Sequence, residues 1–216
     1  MSMRLTKVLI AALALSVSSA VCRADNFSFT GNFSDINEVQ LFTFSVGATS
    51  TVTLRTYGYA GGTNSAGQLI AEGGFDPILA LFQGTGPTAI QIGQNDDGGC
   101  GFVPSDSVSG ECWDTYLQLT NLAAGDYTVS IQDYANFANG PTLGDGFSGG
   151  ALTGGTFIDF DGHNRDSHWA FDVLGVESAG NPTQPPTSPV PEPSSIALLG
   201  TGLAGLVTGV RRRMSA

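Results

Sequence analysis

Between residues 26 and 174, apolar and polar side chains alternate in short runs separated by glycine- and asparagine-rich turns. Residues 26–33 set Phe27, Phe29 and Phe33 on one side, and residues 38–46 do the same with Phe42, Phe44 and Val46. Residues 51–57 pair Val52 with Leu54, 89–94 pair Ile90 with Ile92, and 113–119 pair Leu117 with Leu119. Residues 126–132 align Tyr127, Val129 and Ile131, and residues 168–174 align Trp169, Phe171 and Val173. A period of two is that of a strand with one wet face. Residues 77–83 are nearly all apolar, which predicts a strand covered on both faces. No helical period longer than about ten residues stands out away from the two ends. Eight short strands predict an all-β fold, an antiparallel β-sandwich or jelly roll. Three long loops, 58–74, 95–111 and 134–155, are dense in glycine, and loops of such length are often functional.

The two ends follow a different pattern. Arg4 and Lys7 precede an apolar stretch, residues 8–21, and small residues follow, with Ala20 and Ala24 as cleavage positions. This predicts a signal peptide over residues 1–24, and with it Sec export and signal peptidase. Cys22 stands behind Val21 rather than a small residue, which argues against lipidation. Residues 177–190 are rich in proline, serine and threonine and read as an extended linker. Pro191, Glu192 and Pro193 follow, then the uncharged run 194–210, then Arg211, Arg212 and Arg213. As a helix that run reaches about 25 Å, the thickness of a thin hydrocarbon core. The arginines would stay cytoplasmic. Gly205 and Gly209 form a GxxxG that would suit helix pairing. Tripeptide, apolar run and terminal arginines together closely resemble the PEP-CTERM sorting signal of exopolysaccharide-producing Gram-negative bacteria. The resemblance implies processing by exosortase, a membrane-embedded cysteine protease, after transient anchoring in the inner membrane. The product would be released to the cell surface or extracellular space.

Charge sharpens the picture of the body. Residues 25–190 carry eighteen Asp and Glu against two bases, Arg55 and Arg165, with no lysine, a formal charge of −16. Such a surface repels nucleic acid and anionic lipid. It suits divalent cations, calcium above all, and equally it keeps an exported protein dispersed. Cys100 and Cys112 form an even pair in an exported chain, which predicts a disulfide worth roughly 2–3 kcal/mol in the chain-entropy model.

Within residues 27–174 the body resembles the pre-peptidase C-terminal-like β-sandwich domains of secreted bacterial proteins. The motifs that carry this are Phe75-Asp76-Pro77-Ile78-Leu79-Ala80-Leu81-Phe82, Asn95-Asp96-Asp97-Gly98, Asp114 before a strand, and Ala124-Gly125-Asp126-Tyr127-Thr128-Val129. The resemblance implies a non-catalytic extracellular domain, some of whose relatives bind calcium or matrix polymers. No peptidase domain accompanies it here.

Chemistry concentrates in Asn95-Asp96-Asp97-Gly98. Adjacent carboxylates in a turn can aim several oxygens at one centre, with Asp76 and Asp114 as further ligands for calcium. The same four residues also make a good turn without metal, since Asn and Asp cap backbone amides. Asp159, Asp161, His163, Asp166 and His168 form a second polar cluster, read either as a turn or as a metal or hydrolytic site. Tyr57, Tyr59 and Tyr134 lie in or beside loops, where aromatic faces can stack on sugars. No nucleophile elbow of the form G-x-S-x-G occurs. The functional expectation is a non-enzymatic adhesive or structural protein of an exopolysaccharide matrix or biofilm, with calcium as candidate cofactor and polysaccharide as candidate partner. A carbohydrate-binding module or small polysaccharide hydrolase is the alternative.

Overall fold

A computed structural model describes residues 24–149 and 156–182. The expected leader apart from Ala24, the linker beyond Pro182 and the whole sorting tail lie outside the described residues. The strands in chain order are β1 (Asp25–Asn32), β2 (Val39–Val46), β3 (Ser50–Thr56), β4 (Gly62–Thr63), β5 (Leu69–Ile70), β6 (Pro77–Gln83), β7 (Ile90–Asn95), β8 (Tyr116–Leu122), β9 (Gly125–Asp133), β10 (His168–Val176) and β11 (Ser178–Gly180). The chain is all-β in its described part apart from one 3₁₀ turn, Leu143–Asp145. Every expected strand has a counterpart, and β4, β5 and β11 are additions too short to show a period.

Two antiparallel sheets pack face to face. One runs β1-β10-β3-β8 and the other β11-β2-β9-β6-β7. Their inner faces are built from the alternating positions. Val52, Leu54, Phe171 and Val173 from the first sheet meet Phe42, Phe44, Leu79, Leu81, Val129 and Ile131 from the second. Phe42 alone touches rings on β1 and β10, with centroids 4.7 Å from Phe29, 5.1 Å from Phe171 and 5.6 Å from Trp169. Gly31 is required in β1, because a Cβ there would stand 2.4 Å from the Trp169 ring.

Strand β6 is covered on both faces for a visible reason. Leu79 and Leu81 face the core, while Ala80 and Phe82 face outward under Ala89, Ala138, Leu143 and Phe147. The first part of the 134–155 loop therefore lies on the outer face of the second sheet. Thr128, Ser130 and Gln132 of β9 are buried as well.

Three expectations change. Ile90 and Ile92 point to solvent, 57% and 40% exposed, instead of lining the core. Leu81 pairs with Gly93 and Phe82 with Gln91, so Ile92 is the extra residue of a bulge on an edge strand. Strand β8 begins at Tyr116, not at 113, because Thr115 is tied to Thr56: its N–H reaches Thr56 Oγ1 at 2.7 Å and its carbonyl accepts the Thr56 N–H at 3.0 Å. The body extends past residue 176, since β11 adds to the edge of β2 through Ser178–Ser45, Ala179–Phe44 and Gly180–Thr43 pairs.

Candidate functional site

Antiparallel register brings the start of β6 and the ends of β7 and β9 to one end of the sandwich. Pro77 stands opposite Asp133, and Leu79 opposite Asn95. Asp76, Asp96, Asp97, Trp113, Tyr134 and Phe160 line a cup of about 150 Å³ there. Three connections supply the lining: Asp76 precedes β6, Asp96, Asp97 and Trp113 lie between β7 and β8, and Tyr134 and Phe160 lie between β9 and β10. The floor is pinned by Thr115, whose hydroxyl lies 2.5 Å from the Pro77 carbonyl and 3.2 Å from that of Asp96. The Asp76 carbonyl accepts the Tyr134 N–H at 2.9 Å, fixing the two opposite walls.

The electrostatics of the cup are one-sided. Asp76 is 5% exposed, and its Oδ1 has no hydrogen-bond partner among the described residues. Burial first, then the charges of Asp97, Asp133, Asp96 and Asp159, raise the Asp76 carboxyl well above its ordinary range. Burial and the charges of Asp96 and Glu111 raise Asp97 as well. Burial pushes Asp133 up to about 7, against the Tyr134 N–H that favours its ionised form. An unpaired buried carboxylate is costly, so the cup favours either protons or an incoming cation.

Aromatic rings form the rim. Tyr134 meets Phe137 and Phe160 edge to face, with centroids at 5.6 and 6.2 Å. Trp113 leans on Tyr59 at 5.4 Å. Trp113 is delivered by the disulfide loop: Cys100 and Cys112 are bonded, with Cα atoms 5.1 Å apart. At the foot of that loop the Gly98 N–H bonds the Asp114 carbonyl at 2.8 Å, and a Cβ on Gly98 would meet that oxygen at 2.6 Å.

Of the five residues expected to hold calcium, the structure brings three together. Asp76, Asp96 and Asp97 line the cup. Asn95 is engaged elsewhere: its side-chain NH₂ donates to the Tyr116 carbonyl at 2.9 Å, and its Oδ1 accepts the Asp97 N–H at 3.1 Å, closing an Asx turn. Asp114 does not face Asp96. It is fully buried and accepts from Thr56 Oγ1 at 2.9 Å, the Tyr59 N–H at 3.2 Å and the Ala60 N–H at 2.8 Å. It organises the 58–74 loop. Among the described residues no three Asp, Glu, His or Cys side chains converge closely enough to hold a metal. Calcium takes six to eight oxygens, and a cup walled by three rings does not supply them. The donor set as it stands does not fit that ion.

Tyr57 and Tyr59 are not surface platforms. Tyr57 is 5% exposed and donates its hydroxyl to Asp172 at 2.8 Å. Tyr59 is fully buried, 2.7 Å from Ser109 Oγ through its hydroxyl. The loop between β3 and β6 folds inward and buries both, with the Gly58 carbonyl receiving the Gly74 N–H at 2.9 Å. Tyr134 keeps a half-buried place in the cup.

The second polar cluster also divides. Asp159 is held by Arg165, with Nε and the terminal nitrogen at 2.8 and 2.7 Å. Arg165 also forks onto Asp106 at 3.0 and 2.9 Å and lies 4.0 Å over the Tyr59 ring. Burial opposes ionisation of Asp106, but its bonds from Arg165 and Ser109 win and hold it well below the usual range. Asp159 is lowered in the same way: burial opposes it, and the His163 N–H, Arg165 and Tyr59 prevail. The two histidines serve different partners. His163 N–H bonds Asp159 at 2.8 Å, whereas His168 sits beside Asp166 and 3.1 Å from the Ala71 carbonyl.

Sequence reasoning did not single out Asp133 or Phe160. Asp133 closes the alternating run of β9 just before Tyr134, and Phe160 stands between two aspartates in a loop. A large ring in that setting is itself a signal, since packing does not require it there.

Residues 189–213 match the PEP-CTERM protein-sorting motif. The match supports an exported protein, anchored through its C-terminus before processing, with exosortase as the processing partner. It speaks for the tail and not for the sandwich. No curated protein matches the chain. Among the described residues no helix is long and apolar enough to cross a membrane.

Proposed function

We propose that the chain is a non-catalytic binding module that exosortase processing delivers to the cell surface or surrounding matrix, where its acidic, ring-walled cup engages a cationic group of an extracellular polymer. The observation that carries this reading is the buried, unpartnered Oδ1 of Asp76 opening on a cup whose other polar walls are also carboxylates. The resemblance to pre-peptidase C-terminal-like domains supports the non-catalytic part, as does the engagement of the His168 ring and of Arg165 in structural contacts. An adhesive or structural role in biofilm follows from the destination.

The test is sedimentation of the full-length chain with purified cell-surface polysaccharide, with and without EDTA, beside a glycosidase screen. Binding without turnover is the expected result, and loss of binding in Asp76→Asn ties it to the cup. Turnover abolished by one carboxylate substitution would convert the module into a hydrolase and end this proposal.

A further inference from the structure

We propose that the group this cup takes is the free ammonium of an amino sugar, with the sugar ring lying against the aromatic rim. The inference rests on the cation-binding reading above and names its ligand. The floor offers a carboxylate oxygen that is buried and without a hydrogen-bond donor, flanked by Asp96 and Asp97. An ammonium brings three N–H donors and a positive charge to that point. The body's own cations are engaged elsewhere: Arg165 binds Asp106 and Asp159, and Arg55 lies 4.6 Å over the Tyr57 ring.

The walls select the rest of the ligand. Phe160 is 67% exposed at the rim and meets Tyr134 at 89°, so the contact uses one ring's edge and leaves a flat face open. Trp113 closes another side. Aromatic faces suit the apolar C–H face of a pyranose and favour a nearby cation. A cup of about 150 Å³ is well below the size of a drug-sized site and admits a single ring or less. A lysine tip would satisfy the floor, but its thin stem leaves the rings uncovered and loses rotamer freedom on immobilisation. An N-acetylated sugar has no charge to offer Asp76.

The experiment is calorimetric titration of the full-length chain in mild detergent with methyl β-glucosaminide and a β-linked glucosamine tetramer. Their N-acetylated counterparts, a lysine-containing tetrapeptide and calcium chloride form the other arms. Free-amine sugars are expected to bind at least tenfold tighter than the N-acetylated sugars and the peptide. Asp76→Asn and Phe160→Ala should each weaken that binding tenfold or more, and Asp145→Asn, at an exposed acid of the 3₁₀ turn, should leave it unchanged. Equal loss in Asp145→Asn would reduce the effect to net charge and overturn the proposal. Peptide binding as tight as the sugar also overturns it. Calcium binding without amine binding removes the amino sugar and leaves the cup as a cation site, whereas binding of neither removes both readings.

Discussion

Two groups of carboxylates sit on either side of Trp113, which leans on Tyr59 and also lines the cup. At the Arg165 latch, Asp106 and Asp159 are buried, and a guanidinium held by both keeps them ionised. In and beside the cup, burial pushes Asp76, Asp97 and Asp133 toward the neutral form, helped at Asp76 by the charges of Asp97, Asp133, Asp96 and Asp159 and at Asp97 by those of Asp96 and Glu111. The residue type is the same and the outcome opposite. Where the fold supplies its own cation, acids become part of the scaffold. Where it does not, they form a place that a cation from outside can complete. The comparison can be broken at either end.

The largest effect is expected from the latch. Arg165→Met removes the charge and leaves two buried carboxylates facing each other, at a cost of about 3–5 kcal/mol. Urea unfolding measures it, and a loss below about 1 kcal/mol would show that the acids do not depend on the guanidinium. The pH sign follows from the depressed carboxyls. Their stabilisation is complete above the unfolded-chain value, near 4, and disappears as pH falls through their lowered native values. The wild type should therefore lose stability steeply on the acid side, and Arg165→Met should lose much of that slope.

Next comes the crosslink that presents Trp113. Cys100→Ser with Cys112→Ser opens a loop of separation 12 and should cost roughly 2–3 kcal/mol. The loop carries Asp106 of the latch as well as the approach to Trp113, so the double variant disturbs both regions. It should blunt ligand binding more than Arg165 substitutions of equal destabilisation, which leave the crosslink before Trp113 intact. Identical binding losses at matched stability would dissolve the distinction between the two regions.

The cup predicts the reverse sign. Asp76→Asn replaces a buried acid whose ionised form lacks a partner and should stabilise the unliganded protein by about 1 kcal/mol at neutral pH. Acids with raised native values hold their protons more tightly folded than unfolded. Their effect is thus a decline in stability as pH climbs from near 4 toward and through about 7, the value for Asp133. Melting followed from pH 4 to 8 should show that decline, and Asp133→Asn should flatten it. A destabilised Asp76→Asn variant would mean that Asp76 already has its counter-charge.

How far this contrast was legible in the sequence depends on the distance over which each part is determined. Alternation is a local signal, so the strands carrying Phe42, Val129 and Phe171 could be read directly. It failed at Ile92, the extra residue of a bulge opposite Leu81 and Phe82, whose side chain is exposed. Asp96 and Asp97 were recognisable as a turn rich in oxygen, and Asp76 as its neighbour at a strand mouth. Asp114 was misassigned because proximity to a disulfide says nothing about direction: its carboxylate turns to the amides of Tyr59 and Ala60, more than fifty residues away in the chain. Tyr57 and Tyr59 were misread for the same reason, since only the folded loop reveals that Asp172 and Arg165 await their hydroxyls. The pairing of Arg165 with Asp106 across the disulfide loop leaves no local trace at all.

The smallest effect on stability is the most discriminating for function. Phe160 is 67% exposed and touches Tyr134 only edge to face, so Phe160→Ala should shift unfolding by less than about 0.5 kcal/mol. A ring kept for packing would be missed by the fold. A ring kept for a ligand would be missed by binding alone, and the same substitution should then lower affinity for a glucosamine tetramer about tenfold with the melting curve unmoved. Trp113→Ala gives the internal contrast, because its indole also supports Tyr59 beneath Arg165 and its loss should register in both measurements. If Phe160→Ala proves as destabilising as Trp113→Ala, the rim belongs to the scaffold, and the cup loses the feature that separates it from the latch.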